Sequence, residues 1–532
     1  MSSIWRAREP DRNDTIATRT TRWRASRPPY VFMHRVAFML IERGGRQTAM
    51  YLMDHLENEA MARSFGVNLV DLPLQTSATI VVGNALDMDW NDVLPATRAS
   101  YIYGNPPFIG KKRRTSEQQS DMTRVFGGAK GTGELDYVAA WYERVTEYAK
   151  ETAAKISFVS TSSLVQGEQV PIIWPRIIGK GYTIGFAHRS FTWSSEARGS
   201  AQVAVVIVGI AWGKWLGPLR LFDYSDHRSD PIESKAKSIN PYLADAPILY
   251  VKGRNTPLGP VPKASFGSMP NDGGEFLFND EDAATIRESD PIAAKYLREI
   301  ACTRQLLHGQ SRWCLWLVDS TAADRRASPE IRRRVAVVQA ARQKSTRAAT
   351  RALADTPYLF GEIRQPDSRY LCVPRHSSEN RNLIPMVFMP PEVIASDSTI
   401  AIAEADNYLF GVMQSAMFSA WQEAIGGKLE DRLRFSVEVV YNTFPFPSPT
   451  AKQRLAVANA AQEVLDARSS HPDDSLADLY DPLATPPDLV LAHRRLDRVV
   501  DPLFVGPRRK VRTQAERLSV LFERYVGLTE PD

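Results

Sequence analysis

Between Ser77 and Trp212, short apolar strand patterns alternate with helical ones, and no other feature narrows the fold as much. "SATIVVGNAL" reads as a strand ending in a turn, and "SYIYGNPPF" as a second. "ELDYVAAWYERVTEYA" places Leu135, Val138, Tyr142 and Val145 at helical spacing, with acids early in the helix. "KISFVSTSSLVQG" is a third strand followed by Ser/Thr/Gly loop chemistry. "YTIGFAHRSFTW" and "QVAVVIVGIAW" are two more, expected to be adjacent and antiparallel. Strands alternating with helices predict a largely parallel sheet with helices on its faces. Ligands in such sheets bind at the carboxyl ends of the strands, where Asn105 falls.

The flanking segments differ. Residues 1–30 are rich in Arg, Ser and Thr and poor in aliphatics, so they are expected to be weakly ordered. Val31 to His55 carries apolar residues at helical spacing (Ala37, Leu40, Ile41, Ala49, Met50). After Gly217 a Pro- and Gly-rich stretch opens a second domain of short strands and loops. Inside it, Arg325 to Arg351 reads as a helix crowded with cations. From about Thr450 two clear helix patterns follow, "RLAVANAAQEVLDAR" and "VRTQAERLSVLFERYVGL".

With 532 residues, 43% hydrophobic and 24% charged, the chain fits a globular protein of about three or four domains. The longest apolar run, Val203 to Trp212, is too short for a membrane helix, and no signal-peptide pattern follows Met1. The reading is cytoplasmic, with no membrane partner. Cys302, Cys314 and Cys372 lack metal-ligand spacing, so no metal and no disulfide framework are expected. The net charge of +5 permits a nucleic-acid partner without requiring one.

The strand Ala99–Tyr103 stops at Gly104-Asn105-Pro106-Pro107-Phe108. Two prolines cannot continue a strand or helix, since each fixes φ and lacks an N–H. An exocyclic amino group on a nucleobase becomes nucleophilic when two acceptors engage its hydrogens as positive charge develops. The Asn105 side-chain oxygen and the Pro106 carbonyl supply two such acceptors. Phe108 supplies a stacking surface for an extracted base. A Pro-rich turn after a strand is the bland alternative.

Over most of its length the sequence resembles the MmeI-like bacterial DNA adenine-N6 methyltransferases. The resemblance rests on "TAMYLMDH", "LPLQTSATIVVGNALDMDW", "YGNPPFIGKK", "GELDYVAAWY", "SFVSTSSLVQGEQVPIIWP", "FAHRSFTWSSEARG", "RQPDSRYLCVPRHSSENRNLIPMVF", "VIASDS" and "VVYNTFPFP". It implies an α/β fold: an incomplete Rossmann-like sheet of S-adenosylmethionine-dependent methyltransferases, then an α+β target-recognition domain and a C-terminal helical region. The implied boundaries are 1–46 (an unmatched Arg-rich segment), 47–217, 218–449 and 450–532.

The resemblance further implies a site-specific DNA methyltransferase of a restriction–modification or phage-defence system. Asn105, Pro106, Pro107 and Phe108 form its catalytic loop. Asn84 lies where the family contacts the adenine of S-adenosylmethionine, a turn-forming Asn being the alternative. Phe191 and Trp193 lie in the segment where relatives place an aromatic on the flipped base; core aromatics are the alternative. Arg375, Glu379 and Arg381 are candidate base readers of double-stranded DNA. Arg332, Arg333 and Arg334 are candidate phosphate contacts, against solvated surface charges.

The glycine-rich cofactor loop that the family places before "TAMYLMDH" has no counterpart here, nor has the acid for the cofactor ribose. The expectation is a sheet short of at least one strand, with an exposed edge. Either a separate polypeptide supplies the cofactor loop, or the chain is a truncated, catalytically inactive DNA-binding remnant or specificity subunit.

Overall fold

β-Branched and aromatic side chains favour the pleated backbone of a half-buried sheet. Ala99–Gly104 follows that rule and forms β4 of a nine-stranded sheet. The computed structural model describes residues 2–7, 36–42, 78–193, 203–224, 230–378, 381, 383–429, 432–506 and 509–529. They fall into two compact units, 1–250 and 251–532.

In the first unit the strands are β1 (Ser2–Ala7), β2 (Val36–Glu42), β3 (Ala78–Gly83), β4, β5 (Lys155–Thr161), β6 (Tyr182–Trp193), β7 (Val203–Trp212), β8 (Leu219–Asp223) and β9 (Ile232–Ala236). Their order across the sheet is β3-β1-β2-β4-β5-β7-β6-β8-β9. β1–β2, β4–β5 and β6–β8 pair in parallel. The other pairings are antiparallel, so the sheet is mixed rather than largely parallel. The β6–β7 pairing causes part of this, because β7 inserts antiparallel between β5 and β6.

Three expectations need correction. Ala37, Leu40 and Ile41 lie in a strand, not a helix, because β2 pairs with β4 from Phe38↔Gly104 to Glu42↔Ala99. That pairing also covers one edge of β4. Ser2–Ala7, inside the segment expected to be weakly ordered, is a strand between β2 and β3. The rest of the apolar stretch to His55 lies outside the described residues. The sheet also runs on past Gly217, since β8 and β9 belong to it.

Helices α1 (Ser116–Phe126), α2 (Ala139–Tyr148) and α3 (Val170–Gly179) accompany the sheet. α2 buries Val145, Trp141 and Tyr142. Tyr142 packs edge-on to Phe158 of β5, and its hydroxyl lies 3.0 Å from Ser160 Oγ. Burial pushes the Glu143 carboxyl up, but Arg176 and Lys180 outweigh it and hold the group below its ordinary value.

The second unit holds two four-stranded sheets. One is built from β10 (Ala264–Phe266), β14 (Tyr370–Pro374), β15 (Val387–Met389) and β17 (Thr399–Ala403). The other contains β11 (Leu277–Phe278), β12 (Leu297–Ala301), β13 (Trp313–Leu315) and β16 (Ile394–Ala395). The cationic helix α4 (Pro329–Gln343) buries Ile331 and Val338 in a core with Phe276, Leu315 and Phe360. At its C-terminal end Arg342, 1% exposed, donates to the carbonyls of Pro270, Asn271, Leu353, Thr356 and Leu359. A buried guanidinium is tolerable when its donors are met in this way. The C-terminal helices α5 (Ala451–Ser469), α6 (Pro487–Val500) and α7 (Gln514–Thr529) belong to this same unit.

Candidate active site

β4 and β5 are parallel; β5 is antiparallel to β7, and β7 to β6. β4, β5 and β6 therefore run the same way and end at one edge of the sheet. β8 runs parallel to β6 and ends there too. Asn105, the first residue beyond β4, is exposed at this edge, with Pro106 buried behind it and Pro107 and Phe108 half-buried.

The loop is pinned just past Phe108. The Ile109 N–H donates to Asp136 Oδ1 at 3.2 Å, and the Ile109 carbonyl accepts the Tyr137 N–H at 3.1 Å. The same Asp136 oxygen accepts the Val138 N–H, and Gln169 Oε1 accepts the Asp136 N–H. Asp136 is 6% exposed. Burial pushes its carboxyl above the ordinary value, against the pull of the Val138 and Ile109 amides and the Arg114 charge. The acids expected in the first turn of the helix thus precede it: α2 begins only at Ala139.

Asn84 lies at the same loop cluster through its partner. Its Oδ1 accepts the Leu86 N–H at 3.1 Å, closing a turn after β3. Its Nδ2 donates to both oxygens of Asp121 on α1. Asp121 also accepts the Tyr137 hydroxyl at 2.6 Å. A continuous chain of bonds therefore runs from the Asn84 turn to the loop that carries Asn105. Asn84 forms its turn and remains exposed, so the turn surface is open to a ligand. A Cβ on Gly83 would meet Met88 Sδ at 2.9 Å, a contact that the flexible Met88 side chain would have to shift to relieve.

Phe191, at the end of β6, is half-buried and pairs with Val205, which also pairs with Thr161 of β5. Its ring stacks on Tyr224 just past β8, centroids 4.8 Å apart. The Tyr224 hydroxyl lies 2.8 Å from His188 Nδ1, and His188 stacks on Phe222 at 4.3 Å. Phe191 thus belongs to an aromatic stack on the edge that carries Asn105. Trp193 pairs with Val203, and its side chain lies outside the described residues.

In the second unit the candidate DNA readers have different surroundings. Arg332 is exposed. Arg333 is exposed but forks onto Glu330 with two bonds of 3.0 Å. The Arg334 side chain is 16% exposed; it donates to Glu330 and to the Glu275 carbonyl and covers the Phe278 ring. Arg375 donates to the Asp397 carbonyl and lies over Phe266. Arg381 donates to the Ala477 carbonyl at 3.3 Å. Glu379 lies outside the described residues.

Asp121, Asp136 and Tyr137 carry the site's framework and were not singled out from the sequence. Asp136 and Tyr137 stand within "GELDYVAAWY", where an acid immediately before a helix was the available signal. Among the described residues, no group of three or more His, Cys, Asp or Glu side chains could hold a metal ion. Among them too, no helix is long and apolar enough to cross a membrane.

Three family models match in succession: the MmeI DNA-methyltransferase domain over residues 45–223, the MmeI target recognition domain over 245–448 and the MmeI C-terminal domain over 449–531. "DNA methyltransferase A" of Bacillus subtilis (strain 168) is 35% identical over 486 residues, covering 91% of this chain and 54% of that protein. A solved structure of the type IIL restriction-modification enzyme MmeI in complex with DNA superposes with a TM-score of 0.78 at 39% identity. It covers 93% of this chain and 66% of that one. The chain thus spans about half the length of the curated relative. The consecutive domain matches and the shared fold place this chain in the MmeI family of DNA methyltransferases.

Proposed function

We propose that the chain carries out site-specific methylation of adenine N6 in double-stranded DNA, within a restriction–modification or phage-defence system. The observation that carries this reading is the exposed Asn105 at the end of β4, backed by the buried Pro106 and pinned by Asp136. In the proposed reaction Asn105 Oδ1 and the Pro106 carbonyl accept the two hydrogens of the amino group. They stabilise the positive charge that develops on nitrogen. The prolines fix the position of that carbonyl and offer no competing N–H. Phe108 and the Phe191–Tyr224 stack supply aromatic surface for a base taken out of the helix.

S-adenosylmethionine supplies an electrophilic methyl group when bound. The exposed Asn84 turn suits its adenine end. No stretch of the 532 residues reads as the glycine-rich loop after a strand that would hold the methionine end. We propose that a segment outside these 532 residues supplies that part. The exposed Arg332 and Arg333, with Arg375, Glu379 and Arg381, are the residues proposed to meet DNA in the second unit.

The test is transfer of labelled methyl groups from S-adenosylmethionine to unmethylated bacterial DNA, followed by nucleoside analysis. The chain is assayed alone and with a fragment of a relative carrying the glycine-rich loop. N6-methyladenine in the supplemented reaction supports the reading. DNA binding without transfer in either reaction overturns it in favour of a specificity subunit.

A further inference from the structure

The segment after the catalytic loop carries four consecutive cations, "KKRR", Lys111 to Arg114, and their surroundings divide them sharply. Lys111 pairs with Glu134. Arg114 turns inward: its Nη2 donates to the Gly133 carbonyl at 2.5 Å, and burial lowers its pKa against the charges of Asp136 and Glu134. Lys112 and Arg113, between them, are exposed and have no partner among the described residues. The two outer contacts lace this segment to the loop 127–134, where Lys130 is likewise exposed and without a partner among the described residues.

These cations stand on a fixed platform. Ile109 is held through both its N–H and its carbonyl. The Arg113 N–H donates to the Gly110 carbonyl at 2.9 Å. Thr115 then caps α1 with a reciprocal capping box through Gln118. The carboxylates facing the platform do not neutralise it. Glu134 is matched by Lys111, Asp136 is buried beneath the loop, and Glu117 lies in the first turn of α1. Cβ atoms built on Gly110, Gly127 and Gly128 would meet nothing within 4 Å, so the backbone two or three residues before Lys112, Arg113 and Lys130 is open.

A nucleotide turned out of a duplex puts its base into the pocket but leaves its phosphates at the rim. From these observations, and resting on the function proposed above, we infer that Lys112, Arg113 and Lys130 form a phosphate clamp for the DNA strand that carries the target adenine. Lys111 and Arg114 hold the clamp in place. The catalytic loop and the clamp share one anchored segment, so docking of the backbone and presentation of the base are set by the same contacts.

The test uses the full chain and a fluorescein-labelled duplex of mixed sequence, with binding measured over a series of salt concentrations. Each phosphate contact contributes about 0.9 to the slope of log affinity against log salt. The triple variant Lys112→Ala/Arg113→Ala/Lys130→Ala is expected to lower that slope by about two to three. The control Lys150→Ala/Lys214→Ala removes exposed cations from the opposite edge of the sheet and is expected to leave it unchanged. A full slope in the triple variant, with the wild type binding normally, overturns the clamp alone. An equal loss in the control overturns it as well, because the effect is then one of total charge. Failure of the wild type to bind duplex DNA overturns both the clamp and the function on which it rests.

Discussion

Tyr137 donates its hydroxyl to Asp121 at 2.6 Å, and the same carboxylate accepts from Asn84 at 3.1 and 3.2 Å and from Arg124 at 2.6 Å. Arg124 also reaches Asp87, the residue after Leu86 in the Asn84 turn. The buried carboxylate therefore ties the turn after β3 to the loop after β4, because the Tyr137 N–H holds the Ile109 carbonyl. Burial, and then the hydrogen bond to Asp121 and its charge, push the Tyr137 phenol far above its ordinary value, so it remains a donor at working pH. Tyr137→Phe leaves Asp121 short of one donor at a site 6% exposed. The expected cost is about 1–3 kcal/mol of stability. Amide hydrogen exchange at Leu86, Asp87 and Met88, whose N–H groups bond to Asn84, should accelerate. Unchanged exchange there would mean that the two turns are held independently.

Asn105→Ala removes one of the two acceptors proposed for the amino group. Asn105 is exposed, so the change removes no buried group. Methyl transfer by the supplemented complex should fall about 100- to 1,000-fold, as when one such preorganised contact is lost. DNA affinity should stay within a few-fold. Wild-type turnover in this variant would remove Asn105 from the chemistry.

Arg332 and Arg334 are expected to separate, although they are two residues apart in the sequence. Arg334→Ala loses the Glu330 bond, the Glu275 carbonyl bond and the cover over Phe278. It should lower the stability of the second unit by about 1–3 kcal/mol. Arg332→Ala should change stability by no more than about 0.5 kcal/mol, as at other exposed positions. It should lower the salt slope of DNA binding by about one. Denaturant titration beside DNA titration distinguishes the two. Equal behaviour of the variants would show that the helix is a uniform charged face.

The placement of Asn105 just past a strand end was legible in the sequence because it is local. A strand that runs into Gly-Asn-Pro-Pro has one geometry, and the β6–β7 pair announced itself by two adjacent apolar runs. β2 was not legible: Ala37, Leu40 and Ile41 satisfy a helical period, and only pairing with a strand some sixty residues later makes them extended. Asp136 and Asp121 were hidden for a similar reason. Their partners Ile109 and Asn84 are 27 and 37 residues away. The charge run of α4 reads the same whether its members are solvated or buried. Composition cannot tell that Arg342 has five carbonyl acceptors while Arg332 faces solvent.

His493 and Asp497, one turn apart on α6, should give the second unit opposing responses to acid. Burial and the nearby Arg468 charge lower the His493 pKa from 6.5 to about 4, with Tyr480 as its hydrogen-bond partner at 2.8 Å. Between those values the unfolded chain holds more protons than the folded one, so this group's contribution to stability is lost as pH falls from about 6.5 towards 4. Asp497 accepts the Ala416 N–H at 2.7 Å, but burial raises its pKa from 3.8 to about 6. Here the folded state holds more protons between 3.8 and about 6, so acid relieves a penalty that is fully present above pH 6. The two effects offset each other over nearly the same window. His493→Gln should therefore gain stability relative to wild type on going from pH 7 to pH 5. Asp497→Asn keeps an acceptor for Ala416; it should be more stable than wild type above pH 6 and lose that advantage in acid. Urea unfolding of the wild type and both variants at several pH values measures the contrast, and three superimposable pH profiles would show that neither group is perturbed by folding.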